Sequence, residues 1–262
     1  MSALRSFSAP TRIVAGLGAL EQLAEELQGL AASRVAFVCD EGVAKAGLLD
    51  RAVAAAGGDG VVVLPLVQPD PLVADVEAAA AAARAEGCDA VVGLGGGSAL
   101  ALAKAVALLL RNDSPITAYA GWDKATAPPA PSIALPTTAG SGSEVSNALV
   151  LHDPGQESIV VIRGHGYEPR VAILDGTLLR TLPAGPLVEA ALDALSHAVE
   201  ALSVRGASMF TDALAVAAAE QLRDVLPRVL QQRGDDDLQT LLEASAMANL
   251  ACGSSGLGLV HA

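Results

Sequence analysis

Strand-like and helix-like patterns alternate through the first two thirds of the chain. Strand-like apolar runs occur at 34–38, 61–64, 89–94 and 132–135, and helix-like segments at 19–30, 43–56, 73–86 and 99–111 lie before or between them. Such alternation indicates βαβ units, hence a parallel sheet with right-handed crossovers. The chain is 52% hydrophobic but only 2% aromatic, so its core must be built from Val, Leu and Ala, as in buried parallel strands.

The character of the sequence changes near Leu182. Beyond that point only helical patterns remain, at about 185–204, 208–232 and 236–252. We therefore predict an α/β part at 1–182 and a helical part at 183–262, and we expect the first part to fold by itself.

Composition excludes several partners. A net charge of −13 opposes binding to nucleic acid or to anionic lipid. The three cysteines are scattered, which argues against a disulfide framework or a thiolate zinc site. The sequence shows no secretory leader and no apolar run long enough to span a membrane, so we expect a cytoplasmic protein.

A glycine cluster follows the strand-like run at 89–94 and opens the next helix. Gly95, Gly96, Gly97 and Ser98 make it up, with Lys104 further along. This arrangement binds phosphate through backbone N–H groups and the helix N-terminus, although a tight packing turn has the same signature. Asp40 ends an earlier strand on the same predicted sheet edge, where it would bind a ribose hydroxyl and repel a 2′-phosphate.

The segment from Thr137 to Glu144 is small and polar and follows another predicted strand. Ligands bind open α/β sheets at this carboxyl edge. The alternative is an ordered Gly/Ser loop.

The helix predicted from Pro186 combines a polar stripe with an apolar face. The polar residues are Glu189, Asp193, His197 and Glu200, and the apolar residues are Leu192, Leu195, Val199 and Leu202. Asp193 and His197 stand one turn apart and can bind one cation; O and N ligands suit Fe, Zn or Mn. The alternative is that these four polar residues are the solvated side of a surface helix.

His261 follows a Gly/Ser stretch that we expect to be flexible, and a lone histidine there is usually solvated.

The chain resembles the iron-containing (group III) alcohol dehydrogenase family. The matching segments are GGGS at 95–98 with Ala103-Lys104, PTTAGSGSE at 136–144, ILDGTLLRTLP at 173–183, DALSHAVEA at 193–201 and GLGLVHA at 256–262. The resemblance implies an N-terminal parallel-sheet dinucleotide-binding domain followed by an all-helical metal-binding domain. It also implies NAD-dependent interconversion of an alcohol and an aldehyde or ketone. The metal would be divalent, iron in the first place and zinc as the alternative.

The same resemblance assigns roles to individual residues. It implies that Asp193, His197 and His261 are metal ligands at the catalytic centre, and that Gly95, Gly96, Gly97 and Ser98 bind the pyrophosphate. It further implies cofactor contacts from Thr137, Thr138 and Ser141, and NAD preference from Asp40. We expect a small-molecule substrate and a homodimer. Glu200 is expected to belong to the polar stripe and to take no part in metal binding.

Three departures from the family pattern keep alternatives open. Ala101 stands where the family commonly has Asp, as in the maleylacetate reductase branch, and Ser158 replaces a common Lys. The family's further C-terminal segment, with its fourth ligand, does not follow Ala262. The alternatives are therefore a metal-independent reductase or a non-catalytic nucleotide-binding remnant. With His261 held only by a flexible stretch, we expect weak metal binding and little turnover.

Overall fold

The computed structural model describes residues 4–65, 71–154 and 158–261. Its strands are β1 (Arg12–Ala15), β2 (Val35–Cys39), β3 (Val61–Val63), β4 (Ala90–Gly95), β5 (Gly121–Trp122), β6 (Ser132–Pro136), β7 (Ala148–Asp153), β8 (Ser158–Arg163) and β9 (Val171–Leu174). Its α-helices are α1 (Leu23–Gly29), α2 (Glu41–Lys45), α3 (Leu48–Ala55), α4 (Val73–Ala85), α5 (Gly97–Arg111), α6 (Ala184–Ser203), α7 (Met209–Gln231) and α8 (Asp235–Ser255). Short 3-10 helices lie at Ala19–Gln22, Ile116–Tyr119 and Gly176–Leu179.

Six strands form a parallel sheet in the order β1-β9-β6-β4-β2-β3. Alternate residues of its central strands enter different hydrophobic layers: Phe37 packs on the side of α1, α3 and α6–α8, and Val38 on the side of α4 and α5. Strands covered on both faces read as continuous apolar runs, which is how the sequence predicted them. The predicted α/β sheet is confirmed.

A second sheet, β5-β8-β7, stands beside the first. Strands β7 and β8 are antiparallel, and β5 runs parallel to β8. Side chains alternate between its faces: Leu149 and Ile162 are buried against the α4–α5 layer, whereas Val150 and Val161 are exposed. One face of this small sheet is therefore apolar and open.

Helices α6, α7 and α8 pack mainly on one another and form the predicted helical part. The predicted packing face of α6 is wrong, however. Leu192 and Val199 are each 52% exposed, and the buried positions are mostly alanines: Ala191, Ala194, Ala198 and Ala201. Small side chains let neighbouring helices approach closely, so the alanine face packs inward together with Leu187, whereas Leu192 and Val199 remain outside.

The helical part does not have a core of its own. One hydrophobic cluster joins the sheet residues Leu94, Ile133 and Ile173 to Leu222 of α7 and Leu241 of α8. Within the described residues, no helix is long and apolar enough to cross a membrane.

Candidate cofactor and metal site

The carboxyl ends of β2, β4 and β6 lie side by side and bring the predicted cofactor residues together. Gly96 caps α5, and Gly97 is its first residue. A Cβ on Gly97 would stand 2.9 Å from Oγ of Ser141, and one on Gly95, whose φ is +149°, would stand 2.7 Å from Cβ of Ala99. Tight packing thus accounts for Gly95 and contributes at Gly97. Gly96 and Gly97 also open a helix N-terminus at the sheet edge, where an anion is favoured.

Asp40 begins α2 beside this glycine loop. Its Oδ1 accepts a hydrogen bond from the backbone N of Val43 at 2.8 Å, and its Oδ2 stands 3.2 Å from the place where a Cβ of Gly95 would lie. A groove of about 900 Å³ runs past both, and the predicted cofactor residues along it are Asp40, Gly96, Gly97, Ser98, Thr137 and Thr138. The Asp40 carboxylate and the N-terminus of α5 therefore both border the groove.

Lys104 does not reach the phosphate loop. Its side chain is buried, and Nζ donates to the carbonyl oxygens of Ser143 (2.9 Å), Ser146 (3.0 Å) and Ala148 (2.7 Å). Burial lowers its pKa to about 7. Three acceptors satisfy the three donors of an ammonium group, so Lys104 ties α5 to the 143–148 segment.

Asp193, His197 and His261 form one cluster. Their ligand atoms all lie within 4.8 Å of one another. Oδ1 of Asp193 is 3.2 Å from Nε2 of His261 and 3.8 Å from Nε2 of His197, and the two rings stack with centroids 4.4 Å apart. The expectation of a solvated His261 is therefore wrong, because its ring exposes only 20% of its surface and packs on His197.

Glu200, expected only to belong to the polar stripe, holds His261 in place. One of its oxygens accepts from the backbone N of Val260 at 2.7 Å, and the other from that of Gly258 at 3.0 Å and from Nδ1 of His261 at 2.7 Å. The hydrogen bond from His261 is the main reason that the pKa of Glu200 is lowered. The stretch before His261 is also less flexible than expected, since α8 extends through Ser255.

The two histidines differ in their electrostatic environment. Burial lowers the pKa of His197, and the carboxylate of Asp193 opposes that effect. Burial would also lower the pKa of His261, but hydrogen bonds to Glu200 and Asp193 outweigh it and raise the value. Nδ1 of His197 is buried and makes no hydrogen bond within the described residues.

The donor set fits a divalent transition metal. With metal–ligand bonds of about 2.1 Å, neighbouring ligand atoms in a tetrahedral site stand about 3.4 Å apart, and the 3.2 and 3.8 Å separations here bracket that spacing. Because Glu200 occupies Nδ1 of His261, Nε2 of that ring remains available as a ligand. Among the described residues, one carboxylate and two imidazoles supply three ligand atoms, the number of protein ligands that catalytic zinc sites commonly have.

A second cavity, of about 540 Å³, adjoins this cluster. Its walls include Asp193, His197, His261, Ser141 and Ala101, and it shares Gly97 and Ser98 with the first groove. A dinucleotide lying along the groove would thus end beside the Asp193–His197–His261 cluster.

Helix α8 supplies supporting residues that the sequence did not reveal. Nδ2 of Asn249 donates to the carbonyl of Ser141 at 2.8 Å, and Oγ of Ser245 donates to that of Gly140 at 3.2 Å. Their only sequence signal is that they are the polar residues of the otherwise apolar run 244–252.

Sequence and structure comparisons agree on the relatives of this chain. The iron-containing alcohol dehydrogenase profile matches residues 10–176, and the C-terminal profile of the Fe-containing alcohol dehydrogenase family matches 187–262. The NAD-dependent methanol dehydrogenase of Bacillus methanolicus is 34% identical over 98% of this chain and 68% of its own length.

Two solved structures show the same fold. One is a 1,3-propanediol oxidoreductase, with a TM-score of 0.95 and 29% identity over 99% of this chain and 69% of its own. The other is the sulfoacetaldehyde reductase of Bifidobacterium kashiwanohense in complex with NAD⁺, with a TM-score of 0.90 and 29% identity over 97% and 68%. The chain spans about two thirds of the length of these relatives. On these matches, the chain belongs to the iron-containing alcohol dehydrogenase family.

Proposed function

We propose that this chain is an oxidoreductase that interconverts a small alcohol and an aldehyde or ketone, with NAD(H) and a divalent metal, iron or zinc. Residues 1–182 would bind the dinucleotide and residues 183–262 the metal. The observation that carries the proposal is the convergence of Asp193, His197 and His261 at a cavity that shares Gly97 and Ser98 with the groove.

Some residues of this chain would hold the metal and the cofactor, and others position those side chains. Asp193 and Nε2 of His197 and of His261 would hold the metal, which when bound supplies Lewis-acid polarisation of the substrate oxygen. Glu200 keeps the proton of His261 on Nδ1 and its ring in a fixed orientation. The N-terminus of α5, with Gly96, Gly97 and Ser98, would bind the pyrophosphate, and Thr137, Thr138 and Ser141 would line the rest of the cofactor path. Asp40 would select NAD.

The metal-independent alternative is supported by one observation, that the small Ala101 lines the substrate cavity. The donor cluster argues for the metal-dependent reaction, because three ligand atoms lie within 4.8 Å of one another and Glu200 fixes the orientation of His261. We also propose a homodimer, which light scattering of the purified protein would test.

The experiment measures three quantities on the purified chain: metal content, NADH binding, and alcohol oxidation before and after chelation. We expect NADH to bind with or without metal, and the low turnover expected of this chain to disappear on chelation and return with added metal. His197→Ala should bind NADH and lack both metal and turnover. Turnover that survives chelation would support the metal-independent reductase. NADH binding without turnover over an alcohol and aldehyde panel would support a non-catalytic nucleotide-binding protein.

A further inference from the structure

The exposed face of the small sheet forms part of the wall of the same cavity that the Asp193–His197–His261 cluster lines. Val150, Ile159, Val161 and Trp122 line the cavity, and each is at least 36% exposed. Side chains two apart along a strand share a face, so Arg163 lies on the same face as Ile159 and Val161. An arginine thus stands at one end of an apolar surface within the cavity.

The strand register fixes the position of the Arg163 backbone. It pairs with Ala148 of β7, the residue whose carbonyl accepts from Lys104, and its own carbonyl accepts from the backbone N of Asp123 at 2.8 Å. The base of the side chain is therefore anchored in the sheet, next to the 143–148 segment that borders the cofactor groove.

The guanidinium of Arg163 is available to bind a ligand. Within residues 4–65, 71–154 and 158–261 its side chain has neither an ion pair nor a hydrogen bond, and it is exposed to the cavity. Like Cys252 of α8, Arg163 lines this cavity.

Among the described residues, the other ionisable groups that line this cavity do not neutralise the charge of Arg163. They are His152 on β7, Asp193 and His197 on α6, Cys252 on α8, and His261. The Asp193 carboxylate is engaged by His261 at 3.2 Å, and a metal held there would take up its charge. Among the described residues that line the cavity, Arg163 is the one Lys or Arg side chain, in a protein whose net charge is −13.

We propose that Arg163 binds the anionic end of the substrate, so that the preferred substrates are small aldehydes or alcohols that carry a carboxylate or sulfonate. The inference rests on the proposed function for the reacting end of the molecule. A guanidinium binds such oxyanions through two parallel N–H···O bonds. The apolar face of Val150, Ile159 and Val161 would pack against the methylene groups between the two ends, and a cavity of about 540 Å³ has the usual size for a small ligand.

The first test needs no turnover. Trp122 is the single tryptophan of the chain and lines the cavity, so its emission reports occupancy. The protein is titrated with butyrate and with butan-1-ol, with and without metal. We expect saturable binding of butyrate that is at least tenfold tighter than that of butanol. Arg163→Gln should abolish this preference, since hydrogen bonds to charged groups contribute about 1.5–3 kcal/mol, or about 10- to 100-fold. Arg170→Gln is the matched control, because Arg170 is also exposed at a strand end and does not line the cavity.

The second test uses catalysis. Succinic semialdehyde and butanal have similar length and differ in the carboxylate, and Arg163→Gln should raise KM for the first at least tenfold more than for the second. Equal binding of butyrate and butanol, or the same result for Arg163→Gln and Arg170→Gln, would overturn the inference. Arg163-dependent butyrate binding without any turnover would uphold the anion site and contradict the proposed function. The two ideas can thus fail separately.

Discussion

Glu200 determines, at the residue scale, where the ring of His261 can point. It accepts hydrogen bonds from two backbone amides and from Nδ1 of that ring. Glu200→Gln keeps the size of the side chain but removes the charge and one acceptor, so we expect the metal dissociation constant to rise about 10- to 100-fold. Competition with a chromophoric chelator measures that constant, and the visible spectrum of the Co²⁺ form reports the geometry of the site.

Glu220→Gln is the control for this variant, because Glu220 is an exposed carboxylate on α7 outside the site. It should leave metal binding unchanged. If Glu200→Gln binds metal as tightly as the unchanged protein, the hydrogen bond to His261 has no positioning role.

Asp40 also has two roles at this scale, which must be separated. Its Oδ1 caps α2, and its Oδ2 lies beside the glycine loop. Asp40→Gly would remove both, whereas Asn caps helices as well as Asp does. Asp40→Asn should therefore preserve stability and narrow the preference for NAD over NADP. Two charges about 5 Å apart repel by on the order of 1 kcal/mol in water, which is about fivefold in affinity. Titration with both cofactors measures the change, and equal affinities in the unchanged protein would remove the assignment.

At the scale of elements, Asp89 ties two chain segments together. The turn before β2 donates to its carboxylate from the backbone N of Ser33 and of Arg34, both at 3.1 Å. Burial would raise the pKa of Asp89, but the hydrogen bond from the Ser33 hydroxyl, together with these backbone bonds, outweighs it and lowers the value. A carboxyl whose folded pKa is lowered stabilises the fold above its unfolded value, about 3.9, and this stability is lost as pH falls through the folded pKa.

Asp89→Asn should consequently lower the free energy of unfolding by about 1–2 kcal/mol near pH 7. The difference from the unchanged protein should shrink as pH falls below about 5 and disappear once pH has passed the lowered pKa of the native carboxyl. Urea unfolding at several pH values measures it. Asp59→Asn, at an exposed carboxylate, should show no comparable change, and a pH-independent loss for Asp89→Asn would contradict the electrostatic explanation.

The elements also show how far the sequence alone can lead. The buried strands β2, β4 and β6 were predictable because two covered faces produce continuous apolar runs, and their shared edge placed Asp40 beside the glycine loop. The burial of α6 was not predictable from Leu192 and Val199, because four of its seven buried residues are alanines that fill the space between helices. The position of His261 depends on Glu200, which lies 61 residues away in the chain, and no local pattern encodes such a contact.

At the scale of the whole molecule, the two parts of the chain share their interior. The sheet residues Leu94, Ile133 and Ile173 lie in the same hydrophobic cluster as residues of α7 and α8. Removing 183–262 would expose that surface to water, at about 25 cal/mol for each Å² of apolar area. This argues against the expectation that 1–182 folds by itself. Instead, we expect the chain to unfold as one cooperative unit.

Gln239 allows that expectation to be tested, because it connects the two parts at a buried point. Its Oε1 accepts from the backbone N of Gly176 at 2.7 Å, and its Nε2 donates to the carbonyl of Leu174 at 2.9 Å. The Leu174 carbonyl also accepts from the backbone N of Gly16, so Gln239→Ala would orphan chiefly the N–H of Gly176. An unsatisfied buried donor costs about 1–3 kcal/mol.

Urea unfolding of Gln239→Ala should be followed by Trp122 fluorescence, which reports the small sheet, and by circular dichroism at 222 nm, to which the long helices α6–α8 contribute strongly. In the unchanged protein the two transitions should coincide, as they do for a two-state unit. In the variant both transitions should shift together to lower urea concentration, because the free energy of unfolding falls by the same 1–3 kcal/mol. Gln231→Ala, at an exposed position near the end of α7, should move neither. If the dichroism transition shifts while that of Trp122 stays in place, the helices unfold separately from the sheet, and the shared hydrophobic cluster does not couple them.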